Sequence, residues 1–226
     1  MCSLLACVVV AQRPSRAAEA HGDLMMLTVS KELYDYWREL KGERSAPERN
    51  DVEPGAIRAI LADTFILDFD RSRGFPFRIS GSRADALFLR ELRSSPFLQL
   101  WRKGDRETMG TILQRSADHA RPYLVRAEAK PPGLTALAVQ VMLLPLCHQG
   151  SAHARILGSI ATESSPHWLG LIGAGEVALK STHPLDTQGF PAVADKSAPD
   201  AEPVAPFATR PPLPVCASGR LSIGTS

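Results

Sequence analysis

The sequence predicts an α+β domain: a five-stranded antiparallel sheet carrying a helical insert, with one flanking helix before it and a disordered tail after it. Three observations carry this. Apolar residues recur at helical spacing in some segments and alternate with polar ones in others, and all periodicity is lost beyond about residue 180. The 226 residues are 44% hydrophobic and 22% charged, enough for one domain with a buried core plus extensions. The 26 basic and 24 acidic side chains leave a formal charge of +2, too balanced for the basic stripe that phosphate neutralisation needs. Nucleic acid is therefore not an expected partner.

At the N-terminus, Leu4 to Ala11 is an apolar run, and Leu4-Leu5-Ala6-Cys7 has the look of a lipoprotein cleavage box. Only three residues precede that box, none of them positively charged, and the run is far short of the about 20 residues a bilayer span needs. No membrane anchor is expected, and a start at Met25 or Met26 is the simpler reading, with residues 1–29 as a disordered or spurious extension. Cys2, Cys7, Cys147 and Cys216 form no C-x-x-C pair, so zinc and thioredoxin-type sites are not expected, and reduced thiols in a cytoplasmic protein are.

From Ser30, a plausible N-cap, Leu33, Tyr36, Trp37 and Leu40 fall on one face of a helix that must cover something. If that something is its own sheet, the helix is a lid; if it is a second copy, the same four residues form a dimer seam. Gly42 ends the helix, the polar stretch Glu43 to Glu53 reads as an exposed connector, and a short helix opening near Pro54 carries Ile57, Ile60 and Leu61.

The period then changes. Thr64 to Phe69 reads as a strand, Asp70 to Gly74 as a turn, and Phe75, Phe77 and Ile79 alternate with Pro76, Arg78 and Ser80, so Phe77 and Ile79 should face one way. Ala84 to Arg93 returns to helical spacing through Leu87, Phe88 and Leu92; Phe97 and Trp101 add bulk, and a further helix runs from about Asp105 to His119. Tyr123 to Lys130 alternates like a strand with one wet face, Thr135 to Leu146 is apolar on both faces apart from Gln140 and should be central, and Ala154 to Ala161 is the last strand. A short helical piece is expected around Trp168 to Leu179. Eight of the 18 prolines fall between Pro184 and Pro214, so residues 181–226 read as a disordered tail and 30–180 as the domain.

Two strands, several short helices and a three-stranded run are the element order of a PAS domain. The local residues strengthen this: Tyr36-Trp37 in the first helix; Arg44, Ala46, Pro47, Arg49 and Asp51 in the polar stretch; Phe77-Arg78-Ile79-Ser80-Gly81-Ser82; Phe88-Leu89-Arg90-Glu91-Leu92; and Arg155-Ile156-Leu157-Gly158. In order and spacing these resemble a family of small alphaproteobacterial PAS proteins. Leu89 departs from it, standing where the family usually has glycine.

The residues point to binding more than to chemistry. Asp68 and Asp70 mimic a metal-binding pair but sit where a strand enters a turn. Ser116, Asp118 and His119 do not face one another on a helix. Gly170, Gly173 and Gly175 have the wrong spacing for a dinucleotide loop. His119 is the best-placed haem ligand among the histidines, yet a histidine at a helix end is ordinary. Flavin adduct chemistry is excluded because no cysteine lies in the insert. Phe77, Ile79, Leu87, Phe88, Leu92, Phe97 and Trp101 would wall a pocket for a small apolar ligand, or fill it as core, with Arg83 either at the pocket mouth or in an ion pair fixing its helix. The resemblance implies a non-enzymatic sensory or regulatory module of bacterial signalling that acts through a small ligand, an unidentified signalling protein or a homodimer. The other reading is a scaffolding protein with a filled PAS core.

Overall fold

A computed structural model describes residues 25–148 and 151–185, apart from the side chains of 148 and 151–154. The readings made for 1–24 and for 186–226 lie outside the described residues. The chain forms helix α1 (Thr28–Lys41), strands β1 (Thr64–Asp68) and β2 (Phe77–Ser80), helices α2 (Ser82–Phe88) and α3 (Arg106–Asp118), then strands β3 (Tyr123–Ala129), β4 (Leu137–His148), β5 (Ser151–Thr162) and β6 (Val177–Pro184). The strands make one antiparallel sheet in the order β2-β1-β5-β4-β3-β6. The expected five strands are there, and β6 adds a sixth on the edge of β3, crossing the expected domain boundary at residue 180.

The segment expected to be helical, Trp168 to Leu179, instead turns beneath α2 and enters that strand. Its signals compete: Trp168 is buried and Leu171 and Ile172 are exposed, so no single apolar face exists for a helix to bury. Trp168 Nε1 donates to Thr135 Oγ1 at 3.3 Å, and Ala174 N donates to Leu87 O at 2.9 Å, which ties the turn to the insert.

Strands β4 and β5 lie in the middle of the sheet, and the two faces of β4 divide cleanly. Val139, Val141 and Leu143 join the cluster under α2 and α3, and Met142, Leu144 and Leu146 join the cluster under α1. Gln140, the polar exception, is buried and holds the chain just ahead of α1: its Oε1 accepts from Leu27 N at 2.8 Å and its Nε2 donates to Met25 O at 3.0 Å. This anchor starts the helix at Thr28, so Ser30 is a buried residue inside it and not its cap.

The face of α1 rests on its own sheet. Leu33 and Trp37 are fully buried, Tyr36 and Leu40 pack at the margin, and Tyr34, which the apolar spacing passed over, stacks on Trp37 with ring centroids 6.3 Å apart. A dimer would have to use another surface, because the seam residues are already spent as a lid. The connector after α1 is also less exposed than its polarity suggests. Ala46 and Val52 are buried, Cys147 N donates to Pro47 O at 2.9 Å, and Glu48 bridges Cys147 in parallel. Pro54 to Ile60 forms turns, closed by a 3-10 turn over Leu61–Asp63, where a short helix was expected. Cys147 is disulfide-bonded, so the reduced-thiol reading does not hold for it.

Strand β2 carries the most informative departure. Ile66 pairs with Ile79 but Leu67 pairs with Phe77, leaving Arg78 as an extra, bulged residue. A bulge breaks the alternation by one position. Phe77 therefore faces α2 and α3, and Ile79 turns to the α1 face beside Ile66 with 47% of its surface exposed. The expectation that the two face one way is corrected on this ground.

Helix α2 ends early, at a Leu89 C-cap with φ 50° in the left-handed region. The glycine of the resembled family has its reason here, a backbone conformation that a Cβ disfavours. Because Leu89 is 47% exposed, its side chain adds little packing in return. Leu89→Gly should stabilise the protein by about 1 kcal/mol in urea unfolding, and a loss of stability would refute the conformational reading. Phe77→Ala should cost roughly 3 to 5 kcal/mol and Ile79→Ala under about 1 kcal/mol. Equal losses at the two positions would contradict the bulge.

Candidate functional site

The residues expected to wall a pocket meet one another. Phe77, Leu92, Phe97 and Trp101 are at most 1% exposed, and Leu87 and Phe88 are buried beside them. Ring centroids of Phe65 and Phe77 lie 5.4 Å apart, those of Phe77 and Phe97 5.7 Å, and those of Phe97 and Trp101 5.9 Å, each in an edge or tilted arrangement. These are the distances of a packed aromatic cluster. Gly158 makes the cluster fit: a Cβ there would come within 2.2 Å of the Phe65 ring and 2.5 Å of Met142 O. Trp101 Nε1 is buried with no hydrogen-bond partner among the described residues.

At the rim of this face is a small cavity of about 220 Å³, lined by Arg83, Asp63, Leu87 and Ile160 among others. Arg83 thus stands at a mouth, but its guanidinium is committed: Nη1 donates to Asp63 Oδ2 at 2.5 Å. Asp63 has a side chain only 9% exposed, and the pair joins the start of α2 to the end of the turn before β1.

A polar cavity of about 620 Å³ opens beside Phe88, lined by Arg90, Arg106 and Glu176 among others, and a second opening lies on the other face of the sheet. A groove of about 530 Å³ runs between the 49–62 segment and the β2 edge of the sheet. Its walls are aliphatic, with Ile57, Leu61, Ile66, Ile79 and Leu157. Of the seven residues expected to line a pocket, Ile79 alone reaches this groove, and it does so because of the bulge at Arg78. Gly81 closes one end, its amide donating to Thr64 O at 2.8 Å and its Cα so near Ala62 O that a Cβ would sit 2.3 Å away. Arg49 and Arg58 also line it. The sequence offered one signal for this site, Arg49 inside the polar stretch, but nothing in the spacing says that the stretch folds back over a sheet edge.

The other chemical candidates are accounted for locally. Asp68 pairs with Arg155 at 3.3 Å and Arg78 at 3.6 Å. Asp70 organises the turn: Ser72 Oγ donates to it at 2.6 Å and Arg73 N at 3.2 Å, and the Ser72 hydroxyl in particular lowers its pKa. Ser116 Oγ donates to Arg121 O at 2.8 Å, Asp118 accepts from Gln114, and His119 is an exposed C-cap. Gly170 and Gly175 have positive φ in the turn between β5 and β6, and a strand, not a helix, follows it. Among the described residues no group of three or more His, Cys, Asp or Glu could hold a metal ion, and no helix is long and apolar enough to cross a membrane.

Arg83→Ala should cost about 1 to 2 kcal/mol, because it strands a nearly buried carboxylate. Adding Asp63→Asn should recover part of that loss in a double-mutant cycle. A single-variant loss under about 0.5 kcal/mol would refute a structural role for the pair.

The family model described as PAS domain matches residues 25–161, more than half of the chain. Among solved structures, the crystal structure of the Rhodobacter sphaeroides LOV protein is similar at 11% sequence identity with a TM-score of 0.37. That similarity covers 46% of this chain, which spans 61% of the length of the LOV protein chain. No curated protein matches the chain.

Proposed function

The chain belongs to the PAS domain family, and from that premise we propose that it is a regulatory module of bacterial signalling that works by binding and not by catalysis. The observation that carries this reading is the division of labour between the two faces of the sheet. The insert face is occupied by its own aromatic rings, and the α1 face keeps an open aliphatic groove at its margin. Exposed apolar surface of this kind is retained where something is to be bound. The Asp68, Asp70, Ser116 and Asp118 side chains, which could have served as nucleophile or base, are engaged in ion pairs and hydrogen bonds, which supports the non-enzymatic reading.

A small ligand or a partner protein at the α1 face would carry the signal, and a homodimer would need a surface other than the spent seam of α1. The packed aromatic cluster favours a second reading, a scaffold of PAS fold that senses nothing, since a filled interior is what such a protein requires.

Native mass spectrometry on the full chain, purified from cells grown under several conditions, separates the two readings. A retained small molecule or a stoichiometric partner is expected. Bare, ligand-free monomers in every condition would overturn the binding module and leave the scaffold.

A further inference from the structure

We infer that the groove between the 49–62 segment and the β2 edge binds a single-chain amphipathic carboxylate, with an aliphatic tail along Ile79 and Leu61 and its head group at Arg49 and Arg58. This inference rests on the reading of the chain as a binding module and names the ligand class of one surface.

Four observations lead to it. First, the volume of about 530 Å³ lies in the range of about 300 to 1,000 Å³ typical of small-ligand clefts. Second, two of the six large hydrophobic residues left exposed among the described residues, Leu61 at 41% and Ile79 at 47%, lie in this groove, and Ile79 is there only because the bulge turns it outward. Third, the walls are branched aliphatic side chains, and Phe65, the one aromatic residue of the lining, packs its ring against Phe77 and Phe97 on the opposite face, so the groove suits an alkyl chain better than a planar ring that would need stacking partners.

The fourth concerns charge. No acidic residue lines the groove; of the acids close by in sequence, Asp51 pairs with Arg44 at 2.7 Å, Asp63 pairs with Arg83, and the Glu48 side chain accepts from the Asp51 amide. Arg49 and Arg58 have no carboxylate within ion-pair distance among the described residues, and Arg49 Nε is buried without a hydrogen-bond partner. Two uncompensated guanidiniums beside an aliphatic trough are complementary to an anion at the end of an alkyl chain, and the guanidinium fork matches a carboxylate.

The described residues begin on β4 and end beside β3, not at the β2 edge. Met25 is held by Gln140 on β4, and Leu185 N donates to Pro122 O beside β3, whereas β2 is at the opposite edge of the sheet.

The test is isothermal titration of the full chain with sodium decanoate below its micelle concentration, alongside neutral decanol. One decanoate site is expected, with decanol bound at least about tenfold more weakly, Arg58→Gln and Arg49→Gln each weakening decanoate by about tenfold, and Ile79→Asp abolishing it. Arg58 and Ile79 are exposed enough for their variants to keep the wild-type circular dichroism spectrum, which guards against loss by misfolding. No decanoate binding, equal affinity for decanol, or unchanged affinity in Ile79→Asp would each overturn the assignment. A chain that captures a signalling partner but ignores decanoate refutes this ligand alone; the loss of ligand and partner together refutes the binding module as well.

Discussion

A proline inside a central strand sets the terms for the α1 face. Strand β3 ends its pairing with β4 at Tyr123 opposite Leu143, and Pro145 lies beyond it, paired to β5 alone. A proline has no N–H to offer a ladder, so it belongs where a strand has lost one neighbour. Its carbonyl still needs a donor, and Trp37 Nε1 supplies one at 2.9 Å from within α1. Two residues on, Cys147 N is satisfied by Pro47 O. The overhanging end of β4 is thus completed by a helix and a connector instead of a strand. Buried backbone groups left open are costly, so this completion fixes where α1 lies and how the connector folds back.

The groove follows from the same arrangement. Once Pro47 and Glu48 are tied to the end of β4, the chain must travel from there across the face of β5 and β1 to reach Thr64 at the start of β1. It does so as turns, held by Arg44 and the Glu48 amide on Asp51 and by Glu53 N on the Tyr36 hydroxyl. Turns span the face less fully than a helix would. The uncovered strip is the groove, and Ile66, Leu157 and the bulged-out Ile79 form its floor.

Much of this was legible in the residues. Period-two and helical spacing located α1, α3, β1 and β3 to β5 to within a few residues, and the two-faced apolar run through Leu143 marked β4 as central. The short sequence likenesses also acquire physical roles: Arg155 pairs with Asp68, Ile156 and Leu157 enter opposite clusters, and Gly158 seats the Phe65 ring. Three kinds of feature were not legible. A bulge inverts everything past it, and nothing local to Arg78 announces one. A non-local strand pairing such as β6 on β3 leaves no mark in the spacing of either segment. The connector's polarity concealed that Ala46 and Val52 are buried, because Arg44, Asp51 and Glu48 satisfy each other while the small apolar residues between them do the packing.

The two faces differ in what binding would demand of them. Admitting a ligand to the insert face means moving rings that already touch, and losing the packing of one buried aromatic side chain is worth roughly 3 to 5 kcal/mol. That cost would be subtracted from the ligand's affinity, since the open form would be a small fraction of the population. The α1 face asks for no such opening. Its groove is present in the folded chain, its cations are uncompensated, and its floor is made of residues from β1, β2 and β5, the strands whose other face carries Phe65, Phe77 and Ile156 of the aromatic side. An occupant pressing on Ile66, Ile79 or Leu157 is therefore one sheet thickness from the packed core, and close packing transmits such a displacement instead of absorbing it. A filled PAS interior is in this sense no obstacle to sensing: it is the rigid body against which a surface event can be felt.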